Sequence, residues 1–406
     1  MTVSLIGDGI FLVAIAWESY SLWNAPAALA IVGIGMTVPT IAFLLVGGVV
    51  SDRYDRRLVM LWADGLRAAA VAVLATLVLV GSLRFWELVA LVAVYGAGTA
   101  FFTPAFEAKV PELLPAADLP AANSLDQFVR PIGLRLVGPV LGGSLMAVSA
   151  GLAFAVDAAS FAASLIAVAA ISQRSRPQVE LEVSHRAAIA EGLRFVRHRV
   201  WLWGTLVSAA VAYLLFLGPV EVLLPFVVKN DLHASAGTLG LVLAAGGLGA
   251  VGAATYMGQR GHPRRDVTVM YMTWTLATLA IAGYGIANAA WQLMLACLIF
   301  NALEAAGTIV WATIKQRHVP SSMLGRVSSL DWLISIALLP ISFAVTAPVA
   351  AVFGARATLE AAAVIGAVVT LGAYFLPGMR DIERSATAGP GGSPVAPPSA
   401  PVASLH

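Results

Sequence analysis

The sequence predicts an all-α membrane protein with twelve transmembrane helices arranged as two pseudo-symmetric six-helix halves. Of its 406 residues, 59% are hydrophobic and 11% are charged, and the mean hydropathy is +0.87. Soluble domains carry roughly 25% charged residues. Charge-free stretches such as 29–50 and 68–83 approach or exceed the ~20 residues that a helix needs to cross a bilayer. The chain is therefore expected to cross the membrane many times.

Charged, glycine, proline and asparagine residues separate the apolar runs and set the limits of the predicted spans. The twelve spans are expected at 2–23, 27–50, 58–82, 86–107, 125–148, 151–172, 201–227, 237–257, 267–287, 291–314, 327–350 and 355–377. A cleaved signal peptide is the alternative for the first span. However, Asp8 interrupts its apolar centre and no basic residue precedes it, which favours a spanning helix.

Basic residues in the loops predict the orientation of the chain. The intervening loops carry only Arg84, Lys229 and Arg356, and the alternate loops hold Arg53, Arg56, Arg57, Lys109, Arg174, Arg176, Arg186, Arg194, Arg197, Arg199, Arg260, Arg264, Arg265, Lys315, Arg317 and Arg326. The positive-inside rule places the second set in the cytoplasm. Both termini are then expected in the cytoplasm.

Composition excludes several other classes of protein. The net charge is only +2 and the basic residues are scattered, so we expect no nucleic-acid partner. Cys297 is the single cysteine, which excludes an intramolecular disulfide and a cysteine-rich metal site, and we expect no metal or cofactor. No HExxH motif occurs and no histidine lies deep in a predicted span, so a membrane enzyme is disfavoured. A sensor without transport has no supporting motif.

Two similar segments indicate an internal repeat. LPAADLPAANSLD at 114–126 and VPSSMLGRVSSLD at 319–331 share proline and Ser-Leu-Asp in register, about half a chain apart. Chance recurrence of common loop residues is the alternative. The expected organisation is a first half at 1–172, a linker at 173–200, a second half at 201–377 and a disordered tail at 378–406. Apolar residues at helical spacing in RAAIAEGLRFVRHRV predict a helix within the linker that lies on the membrane surface.

Two motifs carry a resemblance to a known family. Gly48, Asp52, Arg53, Arg56 and Arg57 are similar to the loop signature of the major facilitator superfamily, with Asp55 where a second glycine is usual. GPVLGG at 138–143 is similar to the signature of its drug-proton antiporters. The start GDGIFLVAIAW and the loops NSLDQ and LGRVSSLD make the chain resemble the bacterial branch that includes macrolide efflux proteins and the enterobactin exporter. The resemblance covers residues 1 to about 380, and it implies a location in the inner membrane of a bacterium.

The loop signature implies a cytoplasmic latch that favours the outward-facing state. A carboxylate at Asp52 can bind the positive end of a helix and pair with arginines. The alternative role for this loop is a topology anchor, although arginines alone would serve that purpose.

The fifth-span motif implies close helix packing that seals the site against leak. Gly138, Gly142 and Gly143 let a second backbone approach, and Pro139 can bend the helix. The expected partners are Gly246, Gly247 and Gly249 of the eighth span. Ordinary small-residue packing is the alternative.

Ionisable residues inside spans are costly and usually face a cavity or a partner. The resemblance implies that spans one, four, seven and ten line the cavity, which selects the acids Asp8, Glu18, Glu221 and Glu304. Together with Arg135 of the fifth span, these acids are the candidate proton or substrate residues. Arg135 is expected to act on Asp8, leaving Glu304 to titrate. The pairs Asp64 with Arg67 and Asp126 with Arg130 have the spacing of self-paired ions, and Asp157 falls in a span that the family places outside the bundle. Phe101, Phe102, Tyr213 and Trp311 are apolar candidates, for which packing or lipid contact is the alternative.

These features together favour a monomeric secondary transporter that exports small amphipathic compounds, drug-like or siderophore-like, by proton antiport. No phosphate loop ending in Lys-Ser or Lys-Thr is present, so ATP hydrolysis within the chain is disfavoured. The partners are then a small-molecule substrate, protons and the lipid bilayer. A lipid or lysolipid flippase of the same fold is the alternative.

Overall fold

The computed structural model describes residues 2–113, 129–171, 185–260, 263 and 265–383. In this part of the chain twelve helices are long and apolar enough to cross a membrane, as the sequence predicts. We number them as spans 1 to 12: Thr2–Leu22, Pro26–Arg53, Arg56–Val80, Phe85–Leu113, Val129–Val148, Ala150–Ala169, Val200–Asp231, Ala236–Arg260, Asp266–Ile286, Ala290–His318, Val327–Phe353 and Ala355–Tyr374. The helix that contains span 11 begins at Ser321. The repeat segment at 114–126, with Asp126, and the tail from Arg384 lie outside the described residues.

Local sequence explains where several spans begin and change geometry. The side chain of Asp55 accepts a hydrogen bond from the backbone N–H of Arg57 at 2.8 Å, which caps the start of span 3. Gly81, with φ of 71°, ends the same helix because glycine enters the left-handed region without steric cost. Spans 5 and 7 contain wider π-helical turns at Ile132–Val137 and Val227–Asp231. Such turns occur frequently at functional sites.

The packing of the first six spans is repeated by the last six. Span 1 packs against spans 5 and 6, span 2 against span 4, and span 3 against spans 4 and 6. Span 7 packs in the same way against spans 11 and 12, span 8 against span 10, and span 9 against spans 10 and 12. Spans 2 and 11, and spans 5 and 8, join the two groups. The structure is therefore two pseudo-symmetric six-helix halves.

In the sequence, a helix at His185–Arg197 follows the first half and precedes the second. Val196 is only 5% exposed and belongs to a core cluster with Trp201 and Leu202 of span 7, whereas Leu193 is 54% exposed. The described end of this linker helix therefore packs on the second half. Its placement on the membrane surface stays a prediction.

Polar contacts join the halves at the end of the bundle where span 1 finishes. The Tyr20 hydroxyl donates to the Val222 carbonyl at 2.5 Å, and the Asn24 amide donates to Asn230 at 2.7 Å. Lys229 donates to the Ser21 hydroxyl at 2.9 Å. We call this set the closed end.

Glycines near the opposite end have open space beside them. Among the described residues, a Cβ placed on Gly48 of span 2, or on Gly252 or Gly258 of span 8, would meet no atom within 4 Å outside its own helix. The halves thus make close contacts at the closed end, whereas these small residues make none at the other.

Candidate functional site

A cavity of about 300 Å³ lies among spans 1 to 5 of the first half and span 11 of the second. We call it the N-half cavity. Its lining consists of Asp8, Phe11, Leu12, Met36, Thr37, Thr40, Ile41, Arg67, Tyr95, Thr99, Leu134, Trp332 and Leu339. The wall therefore combines one carboxylate, one guanidinium and four hydroxyl groups with aliphatic and aromatic surface, a composition that suits a ligand with an apolar body and few polar groups.

Asp8 is the carboxylate of the cavity wall, and a residue of span 4 forms a hydrogen bond with it. The Tyr95 hydroxyl donates a 2.6 Å hydrogen bond to Asp8 Oδ1. Phe11, one turn after Asp8, stacks on the Tyr95 ring with centroids 4.5 Å apart. These contacts fix the position of the carboxylate relative to the cavity.

Arg67 supplies the guanidinium of the cavity wall. Its Nη2 forms a buried ion pair with Asp64, the self-pairing that the i,i+3 spacing predicts, and Ser164 of span 6 donates to Asp64 at 2.7 Å. The ring centroids of Phe102 and Phe161 lie 4.4 and 4.7 Å from the guanidinium carbon of Arg67, which is in the range of cation–π contacts. The pair is thus more than a structural ion pair, because its arginine also reaches the cavity.

The arginine near Asp8 is Arg67 and not Arg135, which corrects one expectation. Arg67 of span 3 acts electrostatically on Asp8, whereas Arg135 reaches across the halves. Its Nη1 lies 3.5 Å from Asn301 Oδ1 in span 10, at the outer limit of a hydrogen bond. Arg135 is also within electrostatic range of Glu221 of span 7, so the midplane holds a second, cross-half group of polar side chains.

Glu304 of span 10 faces the interior of the second half. Its Oε1 accepts a 3.0 Å hydrogen bond from Thr308, and with Tyr213 and Trp274 it lines a small cavity of about 40 Å³. Glu18 is half-buried at the closed end, within electrostatic range of Lys229. The structure therefore places the four acids in separate regions rather than in one cluster.

Three of the four aromatic candidates occupy packing positions, and the fourth, Tyr213, also lines the small cavity beside Glu304. Phe101 and Phe102 are half-buried and pack beside a small core cluster of the first half. Tyr213 lies 5.6 Å from the ring of Phe216. Trp311 is buried and donates to Asp331 at 2.9 Å.

Asp157 lies inside the first half, although the resemblance places span 6 on the outside of the bundle. Its side chain is fully buried and faces span 1, where a Cβ on Gly7 would lie 2.5 Å from Asp157 Oδ1. The residue therefore belongs to the polar interior of the first half.

The arginines of the loop signature bind carbonyl groups within the first half. Arg56 Nη1 donates to the Ala108 carbonyl of span 4 at 3.0 Å, and Arg57 Nε donates to the Val168 carbonyl of span 6 at 3.1 Å. Cations at helix C-termini are stabilised by the helix dipole. Arg53 is exposed, and Asp52 lies in the last turn of span 2. In this conformation Arg56 and Arg57 join span 3 to spans 4 and 6.

The fifth-span motif packs on two different helices. A Cβ on Gly138 would lie 2.6 Å from the Gly9 Cα of span 1, and one on Gly142 would lie 2.9 Å from the Ile10 Cα. Pro139 is buried beside them. Gly138 and Gly142 therefore hold span 5 against span 1, within the first half.

Gly143 and Pro139 provide the cross-half contacts of the motif, and a Cβ on Gly240 of span 8 would be in steric conflict with the Pro139 carbonyl oxygen. A Cβ on Gly143 would lie 3.0 Å from the Gly237 Cα and 3.2 Å from the Gly240 Cα of span 8. The prediction that Gly246 and Gly249 contact the fifth-span motif is therefore wrong, because both glycines face span 10. Gly247 does face span 5, at Arg135 and Leu136.

Sequence reasoning missed Arg67, Tyr95 and the threonines of the cavity wall. Thr37 and Thr40 stand at i,i+3 spacing in a charge-free span, a signal for a shared face. In the described part of the chain, no cluster of three or more His, Cys, Asp or Glu side chains could hold a metal ion.

Comparison with known proteins relates this arrangement to a family. The profile of the family MFS_3, described as "Transmembrane secretion effector", matches residues 1–389. The multidrug efflux pump Tap of Mycolicibacterium fortuitum is 26% identical over 389 residues, with 93% of this chain and 94% of that protein covered. The enterobactin exporter EntS of Citrobacter koseri is 28% identical, with 81% and 78% covered.

Solved structures share the fold at low sequence identity. A bacterial homologue of the iron transporter ferroportin in an inward-facing state aligns with a TM-score of 0.68 and 18% identity, covering 92% of this chain and 96% of that one. A D-xylose-proton symporter aligns with a TM-score of 0.68 and 15% identity, covering 93% and 97%. At these identities the likeness establishes the fold alone.

Proposed function

The chain belongs to the transmembrane secretion effector family of the major facilitator superfamily, and from that premise we propose that it exports small amphipathic compounds by proton antiport. It is a multi-pass membrane transporter and not an enzyme. Relatives that cover most of its length are a multidrug efflux pump and an enterobactin exporter. Their direction of transport supports export for this chain.

The volume and lining of the N-half cavity are the observations that support the proposed class of substrate. Its volume of about 300 Å³ is at the lower end of the ~300–1,000 Å³ typical of small-molecule sites. One carboxylate, Asp8, one guanidinium, Arg67, and four hydroxyl groups stand among aromatic and aliphatic side chains. This chemistry fits a compound with an apolar body and a cationic or hydrogen-bonding group.

The conformation fits one state of an alternating-access cycle. The positive-inside rule predicts that the closed end faces the periplasm, and on that orientation we propose that this conformation is the one open to the cytoplasm. Two halves of this fold rock about a midplane site. In the outward-facing state, Asp52 and the neighbouring arginines would close the cytoplasmic side as a latch.

Proton coupling needs a carboxylate that binds a proton in one state and releases it in another. Asp8 meets that need because it lines the N-half cavity and has both Tyr95 and Arg67 beside it. Glu304 meets it in the second half, where it borders its own small cavity. Arg135 lies between the two halves at the same level as Asn301, and it is suited to bind an anionic group of a substrate or Glu221.

The test is efflux by the purified protein in liposomes with an imposed proton gradient. A panel of cationic dyes and antibiotics, first screened for resistance in an efflux-deficient bacterium, supplies the substrates. Gradient-driven accumulation of one of them, with proton movement in the opposite direction, supports the proposal. Gradient-independent movement of a fluorescent lysolipid, with no dye transport, would instead favour a flippase.

A further inference from the structure

We propose that Asp157 of span 6 holds a proton when the N-half cavity is empty, and exchanges it with that cavity through Asp8. This inference rests on the proposed proton antiport and adds to it the group that carries the proton in the first half.

Asp157 has the surroundings of an uncharged carboxyl group. The residue is 0% exposed, and its Oδ2 has no hydrogen-bond partner among the described side chains. Oδ1 accepts only one contact, from the Ser160 hydroxyl at 3.3 Å. Burying an ionised carboxylate with so few partners costs far more free energy than burying the neutral acid.

Charge balance in the first half also requires a proton. Three carboxyl groups, Asp8, Asp64 and Asp157, share the guanidinium of Arg67, which is the only buried one among the described residues of the first half. Full ionisation would leave two uncompensated negative charges, with the neutral Tyr95 beside them. Arg130 of span 5 also acts on Asp8, but its side chain is exposed.

The contacts distinguish the three acids from one another. Asp64 is ion-paired with Arg67 and accepts from Ser164. Asp8 accepts from Tyr95 and faces the N-half cavity. Asp157 has neither a cation nor a strong donor in contact, so the proton is assigned to it.

Gly7 lets span 1 pack closely against Asp157. A Cβ at this position would lie 2.5 Å from Asp157 Oδ1, and the next residue of span 1, Asp8, is within electrostatic range of Asp157. When a cationic group of a substrate enters the cavity, it stabilises the Asp8 carboxylate. The proton held by Asp157 then passes by way of Asp8 to cavity water. The bound cation replaces its positive charge, so the net charge of the three acids, Arg67 and the substrate stays the same while Arg67 remains paired with Asp64.

Infrared spectroscopy of the purified protein tests the assignment directly. A protonated carboxyl group gives a C=O stretching band that shifts in heavy water. We expect Asp157→Asn to remove one such band at neutral pH, since asparagine has the same size and leaves the Gly7 contact intact. The control is Glu87→Gln at the start of span 4, which removes a carboxylate outside the group formed by Asp8, Asp64, Asp157 and Arg67 and should leave the band in place.

Two outcomes overturn the inference. One is a wild-type spectrum without a protonated carboxyl band, and the other is a band that persists in Asp157→Asn. If the asparagine variant does not accumulate, Asp157→Ser, which is smaller, replaces it in the same measurement. Failure of the proposed antiport is distinguishable, because it would appear as wild-type efflux without counter-movement of protons while the band still depended on Asp157.

Discussion

Tyr95 of span 4 donates its hydroxyl to Asp8 of span 1 at 2.6 Å, and the Phe11 ring, one turn beyond Asp8, stacks on the same tyrosine. Two helices that line the N-half cavity are thereby joined at the carboxylate itself. The hydrogen bond fixes Asp8 in the orientation that faces the cavity. Its removal should therefore affect both stability and transport.

We expect Tyr95→Phe to insert normally and to lower the free energy of unfolding by about 1–3 kcal/mol, because a charged acceptor loses its donor. Efflux should fall as well. Thermal unfolding in detergent and liposome efflux measure the two effects. Tyr256→Phe is the control, since Tyr256 is exposed and its loss should change neither. Equal stability of Tyr95→Phe and the wild type would show that this bond is not formed.

Glu304→Gln should retain substrate binding and lose efflux driven by a proton gradient. Glutamine preserves the size of the side chain and can still accept from Thr308, but it cannot release a proton. Binding to purified protein and gradient-driven efflux are measured separately. Glu87→Gln, at the start of span 4, is the control. Native efflux with native gradient dependence in Glu304→Gln would make Glu304 a packing residue.

Asp52→Asn should leave a folded protein with slower transport and a larger inward-open population. Asparagine keeps the size of the side chain but loses the charge that the latch requires. Distances between spin labels on the cytoplasmic ends of the two halves report the population. Normal transport by this variant would contradict the latch and would leave the topology anchor as the role of these loop charges.

Gly143→Val should weaken the packing of span 5 on span 8. A Cβ at this position would lie 2.9 Å from the Ala236 carbonyl oxygen, which leaves no room for a side chain. We expect reduced efflux and increased proton leak in liposomes. Gly252→Val is the matched control, because a Cβ at Gly252 meets no atom within 4 Å. A leak of the same size in both variants would contradict a special role for Gly143.

Cross-linking the closed end should stop the cycle. With Cys297 replaced by serine, Asn24→Cys and Asn230→Cys place two thiols where the native amides lie 2.7 Å apart. A short, impermeant bifunctional thiol reagent added to intact cells should join them and block efflux, and each single variant should remain active. Full efflux by the linked protein would exclude opening at this end. Absence of reaction from outside would contradict the predicted orientation.

Hydropathy predicted the spans well because the bilayer sets the length of each apolar run. The predicted limits 201–227 and 237–257, for example, compare with Val200–Asp231 and Ala236–Arg260. Contacts between spans were harder to predict, since they depend on how each helix is rotated about its axis. Arg67 was interpreted only as the partner of Asp64, and Asp157 was left out, because sequence spacing says nothing about which neighbouring span a side chain meets.

The glycine motifs show the same limit at finer scale. Small residues in spans 5 and 8 indicated contact, but the register that sets Gly143 against Gly237 and Gly240 depends on the axial offset of two helices. No feature of residues 132–137 indicated a π-helical turn.

That wide turn determines which partners span 5 can have. A π-helical turn accommodates one residue more than an α-helical turn, and each residue of an α-helix advances about 100° around the axis. Arg135 inside the turn reaches Asn301 of the second half, while Gly138, directly after it, lies against span 1. Loss of a single residue from Ile132–Val137 would rotate one segment relative to the other by roughly that angle. Span 5 would then keep either its polar contact with span 10 or its glycine contacts, so the length of this turn is under tighter constraint than its composition.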